Sequence, residues 1–496
     1  MLFDKTYTGQ FLISPHGSSL RASARLTQLA STNLQVFPGI DSVEVQDSQG
    51  TLLGVLLGTV VDMELEKVVT GAICLPVNMK DELDWDRVVE DHIYRFSGAF
   101  VFLLDTGELR RIYLDADGCL SLVFDPDTKT AATTTGLLLN DEEYAARFQT
   151  ELYAACQIDQ DGWFTGGLTA HAGIRRLMCN HYLDLDRFQP VRHWPIPGLM
   201  IDPDVDRAID VINTSIRSTI SALAASGPVA VTLTAGNETR AILGCCKSLV
   251  RHLTFVTLST PVASLDLRRA IEISQRFDLK HRILPFVAAS PEDMELWQYR
   301  AGHCITGNNM VSHPSIAVLA GSYLIGGLGG EVGRGFLWLN ADCETPLEAE
   351  DIVDRLKLPR HPVVISEVQN WLEGLPPCNG LQLLDLAYLE LRMSCWAFSQ
   401  AYALPSVSIV YPMISRRSYA AMLSLPYDLR RNNGMIMHSI AHTWPELLEL
   451  PINRYGDFRD YLQPVMKLIH SPARALRKVR QFWTSRSRTL KRSGPS

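Results

Sequence analysis

The chain has 496 residues, of which 46% are hydrophobic and 20% charged, and its formal net charge is -8. This length predicts two or three domains, and this composition excludes a disordered chain. Because the net charge is mildly negative, it gives no overall attraction to nucleic acid, so we expect no nucleic-acid partner.

The ten cysteines are scattered and form no CxxC pair, which argues against a zinc ribbon or a thioredoxin-type motif. Reduced thiols, and hence a cytoplasmic location, are the simplest expectation. The N-terminus has no basic region followed by an apolar run, so no signal peptide is predicted. Apolar stretches fall well short of the ~18 residues that a membrane span needs.

Residues 1–196 predict a mostly β domain. Short runs rich in Val, Leu, Ile and Phe lie between turn signals, at 52–61, 99–104, 112–114 and 120–124. Runs of this length and spacing predict antiparallel hairpins. A helix is predicted from Asp141 to Cys156, because acidic residues open it.

The segment Trp194–Gly198, rich in proline, predicts a linker to a second domain at 200–460. An amphipathic helix is expected at 204–225, followed by strands that alternate with helices. The predicted strands are 229–233, 252–258 and 281–285, and the predicted helices are 238–249 and 265–277. Such alternation predicts a parallel sheet flanked by helices, and residues 350–460 are expected to be helical.

The turn after the first of these strands is the most informative stretch. Thr234-Ala-Gly-Asn237 follows the apolar strand, and a helix opens at Glu238. Small residues let the backbone approach a ligand, and a helix N-terminus offers free N–H groups and partial positive charge. These features predict a phosphate site, with the acidic side chain placed to hold Mg2+. The alternative is an ordinary strand–turn–helix with a Gly in the turn.

The turn resembles the pyrophosphate loop of asparagine synthases and other N-type ATP pyrophosphatases, whose pattern is Ser-Gly-Gly-x-Asp-Ser. Thr234, Ala235, Gly236, Asn237, Glu238 and Thr239 take those places, and Arg240 follows. Glu238 stands where the family has its magnesium-binding Asp. Residues 255–260, with Leu258, sit where the family's second strand meets the adenine. The resemblance implies that this turn, Arg240 and Leu258 bind ATP.

A second glycine-rich stretch, 323–336, resembles the family's second nucleotide motif, Gly-Asp-Gly-x-Asp-Glu-x-x-x-Gly-Tyr. Gly326, Glu331, Gly335 and Phe336 match it, whereas Gly327 and Gly330 replace acidic residues. Gly329 and Gly330 are expected at the nucleotide, and Glu331 as a second metal ligand. The guanidinium of Arg334 can donate two parallel hydrogen bonds to a phosphate. The alternative is that Arg334 forms a surface ion pair.

The family's late catalytic Lys has no counterpart, since 427–460 contains none. Arg430, Arg431 or Arg454 would have to substitute, but an arginine cannot act as a proton donor.

The N-terminal part resembles a class II amidotransferase, an α+β Ntn-hydrolase-like sandwich, in segments 95–104, 113–118 and 168–183. Active members place a Cys directly after the initiator Met. Here that position is Leu2, so we expect no nucleophile of that type and no production of ammonia by this domain. The resemblance implies that the domain is a scaffold, as in β-lactam synthetases and lasso-peptide cyclases. Those enzymes resemble asparagine synthases but use an amine already on the substrate.

Residues 465–496 form a tail with nine Lys and Arg and no Asp or Glu. Its apolar stripe beside a basic face predicts either a weak contact with an anionic membrane surface or acidic partner, or a solvated terminal helix that frays. His438 and His442 are four apart on a predicted helix, but no third ligand lies nearby in the sequence, so no zinc site is expected there.

These features together predict an α/β parallel-sheet PP-loop domain, with a helical C-terminal part, behind an inactive glutaminase-like domain. The predicted function is an ATP- and Mg2+-dependent ligase that adenylates a small-molecule or peptide carboxylate and lets an amine attack it. Glu238, Glu331 and Arg334 are the predicted catalytic residues, and the first two the metal ligands. The alternative is a non-catalytic relative that binds nucleotide or a partner protein. A hydrolase is not supported, since no nucleophile elbow occurs.

Overall fold

The computed structural model describes residues 7–160, 162–195, 201, 204–260, 264–305, 307–398, 406–456 and 460. The predicted linker residues 196–198, Leu2 and the basic tail lie outside the described residues. Within the described part, no helix has the length and apolar character needed to cross a bilayer.

Two sheets, mostly antiparallel, make up the N-terminal β region (residues 7–195). Its strands are β1 (Phe11–Pro15), β2 (Arg25–Gln28), β3 (Thr32–Val36), β4 (Ser42–Gln46), β5 (Leu52–Asp62), β6 (Lys67–Val68), β7 (Ile73–Cys74), β8 (Phe96–Asp105), β9 (Arg110–Leu114), β10 (Val123–Asp125), β11 (Thr130–Ala132), β12 (Arg175–Arg176), β13 (His181–Asp184) and β14 (Gln189–Arg192). One sheet has six strands in the order β12-β10-β11-β1-β3-β2. The other has eight, in the order β14-β13-β9-β8-β5-β4-β7, with β6 paired to β5.

The two sheets pack face to face. Phe11 and Leu34 of the first sheet share one apolar core with Val101 and Ile112 of the second. Short helices accompany the sheets, at Trp85–His92, Thr135–Leu138, Asp141–Arg147 and Thr150–Ala155, with a 3-10 turn at Ile158–Gln160. The predicted antiparallel β strands of this region are present among the described residues; its Ntn-hydrolase character stays a prediction.

A five-stranded sheet, parallel throughout, organises the C-terminal α/β region (residues 204–460). Its strands are β15 (Val229–Thr232), β16 (Thr254–Ser259), β17 (His281–Pro285), β18 (Tyr323–Ile325) and β19 (Ser408–Val410), in the order β17-β16-β15-β18-β19. The predicted parallel sheet is confirmed. Strand β17 has the predicted bounds, whereas the edge strand β19 falls in a segment predicted to be helical.

Helices surround this sheet. They are Val205–Ser226, Asn237–Cys245, Ser264–Arg276, Pro291–Arg300, Gly307–Ser312, Ala349–Leu356, Pro362–Glu373, Gly380–Tyr388, Ser394–Trp396, Arg416–Ser424, Tyr427–Arg431 and Gly434–Thr443. The 3-10 turns are His313–Leu319, Val332–Arg334 and Pro445–Glu449, and Leu389–Met393 is π-helical.

The two regions contact each other through the π-helical segment. The carbonyl oxygen of Leu391 accepts hydrogen bonds from Trp163 Nε1 at 3.0 Å and from Thr165 Oγ1 at 2.8 Å. Arg176 Nη1 donates to the Cys395 carbonyl at 3.0 Å. Buried polar contacts of this kind fix one docking geometry, because each group would otherwise be desolvated without a partner.

Candidate nucleotide site at the sheet switch point

The connections of the parallel sheet define a crevice. β15 is the first strand in sequence and lies at the centre. The chain then adds β16 and β17 on one side before it crosses back to β18 and β19 on the other. The carboxyl ends of β15 and β18 therefore flank a topological switch point, where open α/β sheets bind ligands. The two predicted turns, 233–237 and 326–335, both start at this edge.

The first turn is held by its own threonines. The Gly236 N–H donates to Thr234 Oγ1 at 3.0 Å, and the Thr234 and Thr239 hydroxyls are 2.8 Å apart. Gly236 is the N-cap of helix Asn237–Cys245, and it offers no side-chain cap. The N–H groups of the first helical turn are therefore uncapped, which is the arrangement that suits an anion.

Neighbouring elements fix the backbone of this turn. The Ala235 N–H donates to Asp266 Oδ1 at 3.0 Å, and the Ala235 carbonyl accepts from the Asn453 N–H at 2.8 Å. Asp266 was not predicted, since nothing in its local sequence links it to the turn. The Ala235 N–H already has a carboxylate partner, so an anion here relies on the N–H groups of residues 237–239.

Three predicted charged residues meet at the crevice. Arg334 Nη2 lies 2.7 Å from Glu238 Oε1 and 3.7 Å from Glu331 Oε1. All three side chains are at most one-fifth exposed. Burial and repulsion from Glu238 raise the pKa of Glu331 to about 7, against the opposing effect of Arg334. The cluster therefore gains or loses a proton near neutral pH.

Glycine at 327 and 330 lets the second turn lie against the first. A Cβ on Gly327 would stand 2.9 Å from Thr239 Cγ2, and one on Gly330 would stand 2.7 Å from Glu238 Cγ. Real Cβ atoms do not approach this closely. The acidic side chains that the resemblance places at these positions therefore have no room in this arrangement. A Cβ on Gly329 would meet Ile414 Cγ1 at 2.8 Å, so this glycine lies against the segment after β19.

The side chain of Arg240 is turned away from the crevice. It is fully buried, and its Nη1 donates to the carbonyls of Leu447 at 2.9 Å and Leu450 at 3.2 Å. Burial lowers its pKa to about 10. These contacts are at odds with the predicted contact between Arg240 and ATP, because the guanidinium anchors the C-terminal segment. Leu258 is half-buried near the end of β16 and pairs with Leu284.

Two of the three arginines that would have to replace the late Lys, Arg430 and Arg431, have other contacts. Arg430 is fully buried; its Nη2 lies 2.8 Å from Asp385 Oδ1 and donates to the Val332 carbonyl at 2.6 Å. Arg431 donates to backbone carbonyls of the segment that follows the second turn. The Arg430–Val332 contact supports the 3-10 turn that carries Arg334, so Arg430 positions the site instead of reacting in it.

The N-terminal β region contributes a residue that sequence reasoning missed. Asp117 is fully buried, and the hydroxyl of the buried Tyr419 is the side-chain donor beside its carboxylate, which favours the charged form. Burial and the neighbouring Asp115 raise the pKa of Asp117 well above its usual value, and Glu331 adds to the effect. Its place in the motif Asp115-Ala-Asp-Gly118 was the only signal in the sequence.

We expect Asp117→Asn to stabilise the protein at pH 8. Because the folded-state pKa of Asp117 lies above its unfolded value near 3.8, stability falls as pH rises from that value toward the folded pKa. Asn does not titrate, so the variant avoids this pH-dependent loss and is expected to be the more stable of the two at pH 8. Urea unfolding at pH 5 and pH 8 measures the difference, and a variant that is less stable than the parent at pH 8 contradicts it.

Comparisons with known proteins give little further information. No family model matches the chain, and no curated protein matches it. One similar solved structure is an NH3-dependent NAD synthetase from Campylobacter jejuni subsp. jejuni NCTC 11168, in complex with the nitrate ion. It is 13% identical, and the match covers 40% of this chain and 96% of that chain with a TM-score of 0.20. A likeness at that score gives no evidence about function.

Proposed function

We propose that the crevice between the turns after β15 and β18 binds ATP, with its phosphates at the N-terminus of helix Asn237–Cys245. The observation that carries this proposal is an uncapped helix N-terminus at the switch point of a parallel sheet, beside three converging charged side chains. Backbone N–H groups and the helix dipole both favour a negative ligand there.

Glu238 and Glu331 fit the predicted Mg2+. Glu331 Oε2 is buried without a hydrogen-bond partner among the described residues, Glu238 Oε1 lies in an ion pair with Arg334, and hard divalent cations prefer carboxylate oxygens. Such an ion, when bound, would neutralise phosphate charge. Arg334 forms an ion pair with Glu238, and this pair has to break before Glu238 can bind Mg2+. The guanidinium of Arg334 is then free to bind a phosphate in a bidentate contact.

Affinity for Mg2+ and ATP is expected to rise with pH across neutrality. A divalent ion competes with a proton for Glu331, whose pKa lies at about 7. Between pH 6 and pH 8 the ionised fraction changes by about tenfold, and affinity follows it. Isothermal titration with Mg2+ and a non-hydrolysable ATP analogue measures this trend. Glu331→Gln is expected to bind more weakly with a flat pH profile, and a pH-dependent variant would rule out Glu331 as the titrating group.

The proposed reaction is amide formation. A substrate carboxylate attacks the α-phosphorus of ATP, giving an acyl-adenylate and pyrophosphate; an amine then attacks the acyl carbon and releases AMP. The protein's contribution is positioning and charge stabilisation. The resemblance of the turn to the asparagine synthase loop supports this reaction class. Pyrophosphate release from Mg2+ and ATP, measured across a panel of amino-acid and peptide carboxylates, tests it.

The second candidate is a non-catalytic nucleotide-binding protein. The Glu238–Arg334 ion pair favours it, because a paired carboxylate is a poorer metal ligand than a free one. The glycines at 327 and 330, and the lack of Lys in 427–460, point the same way. A protein of this kind would bind the ATP analogue but release no pyrophosphate with any carboxylate tested.

A further inference from the structure

Two helices of the α/β region bring four candidate metal ligands together on the surface. Asp206 and Asp210 lie one turn apart on helix Val205–Ser226, and His438 and His442 lie one turn apart on helix Gly434–Thr443. Residues four apart share a face of a helix. Both pairs therefore present their side chains to the same groove between the two helices, far apart in sequence but adjacent in space.

The distances between the donors are short. One ligand atom from each of Asp206, His438 and His442 lies within 4.8 Å of the others. His442 Nε2 is 3.6 Å from Asp206 Oδ1, and His442 Nδ1 is 4.0 Å from Asp210 Oδ1. The two aspartate side chains are about three-quarters exposed, and that of His442 is 35% exposed. Small side-chain rotations, which cost little at a surface, bring such donors to one ion.

We propose that Asp206, His438 and His442 form a zinc-binding site. Two imidazole nitrogens and one carboxylate oxygen are a donor set typical of Zn2+, which takes three protein ligands and a water in open sites. Mg2+ and Ca2+ prefer oxygen donors alone. Asp210 is placed to accept a hydrogen bond from the second ring nitrogen of His442, which is the usual partner of a metal-bound histidine.

The two helices are held in a fixed relation beneath the site. The buried Ser439 hydroxyl donates to Asn213 Oδ1 at 2.5 Å, and both helices contact helix Asn237–Cys245, which starts at the phosphate turn. A zinc ion would cross-link the first helix of the α/β region to one near its end. Binding to the folded state alone raises stability by mass action. The site is therefore a structural clamp on the scaffold that carries the crevice, and it does not depend on the proposed function.

Zinc titration of the full-length, untagged protein tests this proposal. After treatment with a chelator and its removal, the parent is expected to bind one Zn2+ tightly enough to compete with a micromolar-affinity zinc dye, and to melt at a higher temperature with zinc. The double variant His438→Asn/His442→Asn is expected to lose this binding and the shift. Asp210→Asn is expected to weaken it by about 10–100-fold. His16→Asn, an exposed histidine elsewhere, is the matched control and is expected to leave both unchanged.

The outcomes are distinct. A parent protein that binds no zinc above buffer shows that the cluster is an ion pair only and overturns the proposal. Zinc binding that persists in the double variant assigns the ion to other groups, such as the exposed thiols of Cys74 and Cys343, and overturns it as well. Because the variants lie outside the crevice, ATP binding in them is expected to match that of the parent.

Discussion

Replacing Glu238 by Ala is expected to lower pyrophosphate release from Mg2+ and ATP on the order of 100-fold, the scale of losing one preorganised electrostatic contact in an active site. The side chain is a proposed metal ligand and lies 2.7 Å from Arg334, so its removal takes away both contacts. Pyrophosphate release, with analogue binding measured alongside it, is the relevant assay.

Two controls sharpen this experiment. Glu238→Gln keeps the size of the side chain but removes its charge, so a similar loss assigns the effect to charge. Glu292→Ala removes an exposed carboxylate on another helix and is expected to have no effect. Unaltered binding and pyrophosphate release in Glu238→Ala, with the fold intact by circular dichroism, would remove Glu238 from the site.

Glu390→Ala is expected to destabilise the protein by about 3–5 kcal/mol, because it leaves the largely buried cation of Arg192 without its partner. Glu390 is fully buried, and its two oxygens lie 2.7 Å from Nη1 and Nη2 of Arg192. Asn180 Nδ2 donates to Glu390 at 2.9 Å, and Trp371 Nε1 donates to it at 2.6 Å. The carboxylate therefore joins the N-terminal β region to the α/β region. Urea unfolding measures the loss.

Glu390 also predicts a loss of folding stability at acid pH. Burial raises the pKa of Glu390, but Arg192 and its other donors outweigh burial, so the net pKa lies below the usual 4.5. The stability that Glu390 contributes is therefore complete above about pH 4.5 and is lost as pH falls through the folded-state value. Glu390→Gln is expected to lack this part of the acid loss. Glu108→Ala, an exposed carboxylate, is the control; equal stability of Glu390→Ala and this control would contradict the account.

Local patterns predicted the parallel sheet well, since a strand and the helix after it each leave their own period in the sequence. They failed where distant chain segments decide the structure. The predicted helix 141–156 is broken into Asp141–Arg147 and Thr150–Ala155 because Phe148 forms a bridge with His171 and the Gln149 N–H donates to the Ala170 carbonyl at 2.8 Å. Prediction from local sequence cannot detect these contacts, because the partner residues lie more than 20 positions further along the chain.

Some features of the candidate site were likewise predictable from local sequence, and others were not. The phosphate turn was predictable because its strand, small residues and helix are contiguous. The direction of the Arg240 side chain and the parts played by Asp266 and Asp117 were not, because each depends on a tertiary neighbour. The proximity of Asp206 to His438 and His442 was not predictable for the same reason, because Asp206 lies on a helix far upstream of the two histidines.

A crystal structure with Mg2+ and AMP-PNP, collected above pH 7.5 so that Glu331 is ionised, tests the central claim most directly. The account predicts phosphate density against the backbone N–H groups of residues 237–239, an ion beside Glu238 and Glu331, and Arg334 moved off Glu238. An empty turn at saturating ligand, with the Glu238–Arg334 pair intact, would contradict it.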